Sequence, residues 1–75
     1  MAQLTEGWLV LPYEGPELAD IEVKIGDDLY PAYLDYSGSK RVAKIRPPQD
    51  HPLRQGMVLE VWVNGAVLKL HKFNR

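Results

Sequence analysis

The side chains best equipped for chemistry in this 75-residue chain are few, and none stands in a catalytic context. The hydroxyl candidates are Thr5, Ser37 and Ser39. A nucleophile needs a base and a group that orients the base. Ser37-Gly38-Ser39 has the composition of a turn, and no G-x-S-x-G occurs. Asp50 directly precedes His51, the one pairing that suggests an acid–base dyad, but Pro47, Pro48 and Pro52 make its setting a stiff loop. Asp27-Asp28 offers two carboxylates without the further oxygen ligands that a calcium loop places at set spacing. There is no cysteine, and His51 and His71 lie far apart, so no metal-ligand pattern emerges. Neither G-x-G-x-x-G nor G-x-x-x-x-G-K-[ST] is present to cradle a phosphate. The expectation is a protein that is not an enzyme, with no metal and no cofactor.

Two surfaces remain as candidates for binding. The first is the basic run 40–46, with Arg41, Lys44 and Arg46, and Tyr33 and Tyr36 just upstream. Cations beside exposed rings suit single-stranded nucleic acid, because bases stack on aromatic faces while Lys and Arg meet phosphates. The second surface belongs to the final hairpin. Asn64-Gly65 meets the demand of a type I′ turn for positive φ at both central residues. A regular ladder from that turn sets Val63 opposite Ala66, Trp62 opposite Val67, Val61 opposite Leu68, Glu60 opposite Lys69, Leu59 opposite Leu70 and Val58 opposite His71. One face is then wholly apolar and must be core. The other carries Trp62, Val67 and Val58, a charge pair of Glu60 with Lys69, and His71. With Phe73 beyond, Trp62, Val67 and Val58 form a candidate partner-binding surface, since tryptophan in a solvated position is enriched at interface hot spots.

The elements that must hold these groups are short. Pro and Gly recur at intervals too close for ordinary helices. The segments between them are rich in Val, Ile, Leu and aromatics, as strands are. Six strands are predicted: 7–11, buried on both faces; 21–25, with Ile21, Val23 and Ile25 alternating against Glu22 and Lys24; 29–36, placed at an edge by Pro31; 40–46; 57–63; and 66–73. Residues 47–56 form a stiff loop, and 16–19 are predicted to make at most one helical turn. The whole reads as a single domain, residues 1–75. Its predicted class is all-β, a five- to six-stranded antiparallel barrel or sandwich of the OB or SH3-like kind, ending in the Asn-Gly hairpin.

Net charge is −1, yet the halves differ: residues 1–36 carry eight acids and one lysine, residues 37–75 eight Lys or Arg and two acids. In an antiparallel fold such segments lie side by side and neutralise each other, and the chain as a whole is not basic like most nucleic-acid binders. A domain this small buries about 60% of its unfolded surface. Self-association is one of the open routes to further stability, since the chain has no cysteine for a disulfide. No basic start followed by an apolar core marks residues 1–12 as a signal, and no run approaches a membrane span, which leads to an expectation of the cytoplasm.

At Ile45-Arg46, Leu53, Gly56 and Val61, the stretch from Tyr33 to Phe73 resembles bacterial translation initiation factor one, an OB-fold protein. The sequence thus favours a protein-interaction module, a small accessory or inhibitor whose partner is another protein or a second copy. A single-stranded nucleic-acid-binding domain is the alternative.

Overall fold

The computed structural model describes residues 1–75 and contains eight strands and no helix. They are β1 (Gln3–Thr5), β2 (Trp8–Pro12), β3 (Ile21–Ile25), β4 (Asp28–Pro31), β5 (Tyr33–Asp35), β6 (Val42–Ile45), β7 (Val58–Val63) and β8 (Ala66–Lys72). The protein is a small all-β domain built from two four-stranded antiparallel sheets, in the orders β1-β2-β6-β5 and β4-β3-β7-β8. Residues 16–19 bend without making the expected helical turn. No helix is long and apolar enough to cross a membrane.

The two strands beyond the expected six have local causes. Glu6-Gly7 has positive φ at both positions, 53° and 81°, and folds Gln3–Thr5 back onto β2. The stretch predicted as one strand over 29–36 breaks at Ala32. Its first half pairs with β3 and its second with β6, so one bent segment serves both sheets. Pro31 ends β4, which lies at an edge of its sheet, where its missing N–H costs no ladder bond. The Ala32 N–H instead donates to the Ile21 carbonyl at 2.9 Å.

Alternation decides what goes inside. Leu9 and Leu11 of β2, Ile21, Val23 and Ile25 of β3, Ala43 and Ile45 of β6, and Leu59 and Val61 of β7 fill the space between the sheets with Tyr13, Phe73 and Ala2. β2 is not buried on both faces as expected, because Trp8 and Val10 point outward and stay half-exposed. Ala2 closes one end of the core. Its N–H donates to the Lys72 carbonyl at 2.9 Å and its carbonyl accepts from Asn74 at 2.8 Å.

β7 and β8 are antiparallel neighbours joined by Asn64-Gly65, with φ of 50° and 84°. The expected register holds for Val63 with Ala66 and Trp62 with Val67, then slips by one residue. A bulge leaves Leu68 extra, so that Val61 faces Lys69, Glu60 faces Leu70, Leu59 faces His71 and Val58 faces Lys72. The predicted pairing of Glu60 with Lys69 is therefore absent. Because side chains alternate faces, one extra residue exchanges the two faces of the strand from there on. His71 turns into the core and Leu70 turns out.

Candidate functional site

The outer face of β7 and β8 carries the first candidate. Outward alternation on β7 presents Val58, Glu60 and Trp62, and the bulge sets Leu70 beside Val67 on β8. Val58, Val67 and Leu70 are 49%, 46% and 56% exposed, an open apolar group around a half-buried Trp62. The indole is fixed rather than loose. Its Nε1 donates to Glu60 Oε1 at 2.9 Å, and the Lys24 ammonium lies 5.9 Å from its ring centroid. Phe73, expected on this surface, is 1% exposed and belongs to the core. Its N–H donates to the Met57 carbonyl at 2.8 Å, which draws the end of the chain inward.

A second constellation sits on the outer face of the other sheet. Trp8 of β2, Tyr33 of β5, and Lys44 and Arg46 on and just beyond β6 meet there. The Arg46 guanidinium carbon lies 3.8 Å from the Trp8 ring centroid and the Lys44 ammonium 4.6 Å. Tyr33 meets Trp8 edge-on with centroids 6.2 Å apart, and remains 66% exposed. Gly7 allows this closeness, since a Cβ there would stand 3.1 Å from the Arg46 guanidinium. Lys44 also pairs with Asp35 at 2.9 Å. Hydrogen bonds from Ser37, and then Lys44, hold the Asp35 carboxyl well below the usual carboxylate range. The face therefore keeps a carboxylate among its cations.

Three of the five residues expected for nucleic acid meet here: Tyr33, Lys44 and Arg46. The other two are elsewhere. Arg41 shares the parity of Ala43 and Ile45, and it donates to the Gly15 carbonyl at 2.9 Å beside the Tyr13 ring. The Tyr36 hydroxyl donates to the Glu17 carbonyl at 3.1 Å. Trp8 and Leu70 are the functional candidates that sequence reasoning missed. The apolar run Trp8, Leu9, Val10 and Leu11 hides the first, because nothing in it distinguishes the outward residues from the inward ones. Nothing local marks the bulge that exposes the second.

The pairing of Asp50 with His51 does not form. The carboxylate on His51 is that of Asp28, 2.7 Å from Nε2. The imidazole lies over Gly26, whose φ of 62° and missing Cβ make room for it. No cluster of three or more His, Asp or Glu side chains is arranged to hold a metal ion. Comparison with protein-family models, curated proteins and solved structures finds no match.

Proposed function

We propose that this chain is a non-catalytic protein-interaction module that docks through the outer face of β7 and β8, as a small accessory or inhibitor protein. The carrying observation is the exposed group of Val58, Val67 and Leu70 around a Trp62 already held by Glu60. A rigid aromatic anchor loses little freedom on binding, and partly solvated apolar neighbours gain by leaving water. The net charge of −1 and pI near 6.0 also favour a protein partner over a nucleic acid. The bent segment shared by both sheets supports a small barrel of the OB or SH3-like kind as the scaffold. Val67→Glu tests the reading, because a carboxylate at that exposed site leaves the core alone. A protein that co-purifies with the wild type from native cells is expected to be lost with Val67→Glu and kept with Tyr33→Ala. The reverse pattern contradicts this reading.

A second reading has its own observation, the stack of Trp8, Tyr33, Lys44 and Arg46, which supports single-stranded nucleic-acid binding. Its test is a fluorescence titration of Trp62→Phe, which leaves Trp8 as the reporter, with a dT oligonucleotide. That reading expects saturable quenching that weakens steeply with salt, as counterions released from phosphates dictate. An unchanged emission removes it.

A further inference from the structure

We propose that residues 15–20 form a prefolded recognition loop, which inserts Leu18 into an apolar pocket of a partner protein rimmed by lysine or arginine. This rests on the reading of the chain as a protein-interaction module and adds a second contact beside the first.

Residues 15–20 belong to no strand or helix, and no hydrogen bond joins two of their own backbone groups. Side chains from elsewhere hold them instead. Arg41 Nη1 donates to the Gly15 carbonyl at 2.9 Å, the Tyr13 hydroxyl to the Pro16 carbonyl at 2.6 Å, and the Tyr36 hydroxyl to the Glu17 carbonyl at 3.1 Å. At the far end the Asp20 N–H donates to Asn64 Oδ1 at 3.0 Å, and the Asp20 carbonyl accepts from the Asn64 N–H at 2.9 Å. Gly15 lies so close to the Tyr13 ring that a Cβ there would collide with it. Ala19 packs against the core, whereas Leu18 is 96% exposed, the most exposed large apolar side chain in the molecule.

A single leucine at a surface is ordinary. Here, however, a loop is tied at both ends while its tip leucine stays in water and adds nothing to the core. A loop already ordered loses little freedom when a partner closes on it, and the leucine then leaves water. Pro16 has no N–H to offer, and the carbonyls of Gly15, Pro16 and Glu17 are engaged. The loop is therefore not built to lie in a protease cleft as an extended substrate strand, and recognition falls to its side chains.

Charge selects the rim of the pocket. Glu17 and Asp20 flank Leu18, and Glu22 follows on β3. The shallow hollow beside the loop is lined by Ala19, Asp20, Ile21, Glu22, Pro31 and Ala32, without Lys or Arg. Arg41, 4.0 Å from Glu17, is the one cation in ion-pair reach of these three acids. Lys24, the next outward residue on β3, lies by the Trp62 ring. Lysine or arginine around the receiving pocket complements such carboxylates. The loop is also continuous with the docking face. The register sets Pro31, Glu22, Trp62 and Val67 in one row across the sheet, and Asp20 with Asn64 ties the loop to the hairpin turn beside that row.

The probe is a β-cyclodextrin with an ammonium group on every sugar, an apolar cavity with a cationic rim. Neutral and carboxylated β-cyclodextrins are the controls, and methyl and amide shifts of the whole chain report binding. The ammonium host is expected to shift the Leu18 methyls and to bind there roughly threefold more tightly than the neutral host, as two exposed charge pairs allow. Glu17→Gln with Asp20→Asn should remove that preference. Tyr36→Phe deletes one tie and no core contact. It should raise the mobility of Leu18 in nitrogen relaxation and weaken the host about threefold to tenfold, the scale of one hydrogen bond. Equal binding of all three hosts, no shift at Leu18, or a Leu18 as rigid in Tyr36→Phe as in the wild type overturns the proposal. In cells that produce the chain natively, benzoylphenylalanine at position 18 should crosslink to the same protein as at position 67, within a peptide containing Lys or Arg. An adduct from 67 alone overturns the loop and leaves the docking face standing; an adduct from 18 alone does the reverse. Stoichiometric inhibition of chymotrypsin that Leu18→Ala abolishes overturns it in favour of a substrate-like loop.

Discussion

His71 sits in the core with its Nδ1 3.4 Å from the Met1 nitrogen and its Nε2 without a hydrogen-bond partner. Burial, then the amino group of Met1 and Lys69, push this imidazole below its ordinary pKa of 6.5, with the Pro12 backbone and then Glu14 opposing. The unfolded chain therefore binds a proton that the folded one resists, and stability rises with pH through that interval. His71 contributes fully above about pH 6.5, and its contribution falls as the pH drops toward the depressed value. His71→Leu should flatten this dependence and leave stability at pH 7.5 unchanged or higher, because an unpaired buried polar atom is removed. Thermal midpoints of both proteins from pH 7.5 to 5 check it; parallel curves contradict it. Trp62 behaves differently. It is half-buried, so Trp62→Ala should cost roughly 1–2 kcal/mol by lost apolar burial, leave the fold intact and remove partner binding. Denaturant titration reads the first effect, and outright unfolding shows Trp62 to be part of the core instead.

At the scale of elements, the bulge in β8 governs what the hairpin presents. Deleting Leu68 removes the extra residue and keeps every later pair, Val61 with Lys69 through Val58 with Lys72. That variant should fold with a midpoint within a few degrees of wild type. Deleting Leu68 and Leu70 together instead moves His71 and Phe73 to the opposite face, and should abolish cooperative unfolding. Circular dichroism melts distinguish the two, and equal damage from both deletions contradicts the assigned register. Gly65→Ala should cost about 1–2 kcal/mol, the usual penalty for a Cβ at positive φ, as measured by denaturant unfolding. The same hairpin shows what a sequence can reveal. Asn64-Gly65 marks the turn because few dipeptides tolerate two positive φ values. Alternation from Ile21 to Ile25 marks a strand because one face must leave water. The slip at Leu68 carries no local mark, since it arises from how β8 twists against β7 and from where Phe73 must land. Trp8 is not legible as an outward residue, because four apolar residues run together and read as core. Phe73 was misplaced for a related reason: no local pattern tells a strand's last residue which way the chain end will turn.

Across the whole molecule, the acidic first half and basic second half neutralise each other in part. Lys44 pairs with Asp35 at 2.9 Å and Arg41 approaches Glu17 at 4.0 Å. Such exposed pairs contribute about 1 kcal/mol or less each and weaken with salt. Charge is thus offset at these two points, and the docking reading rests on the apolar group that β7 and β8 present. The most direct test places a photo-crosslinking benzoylphenylalanine at Val67 and, separately, at Tyr33, in cells that produce the protein natively. The docking reading predicts one discrete protein adduct from position 67 and none from position 33. An adduct from position 33 alone, or crosslinking there to nucleic acid with nothing at position 67, contradicts it.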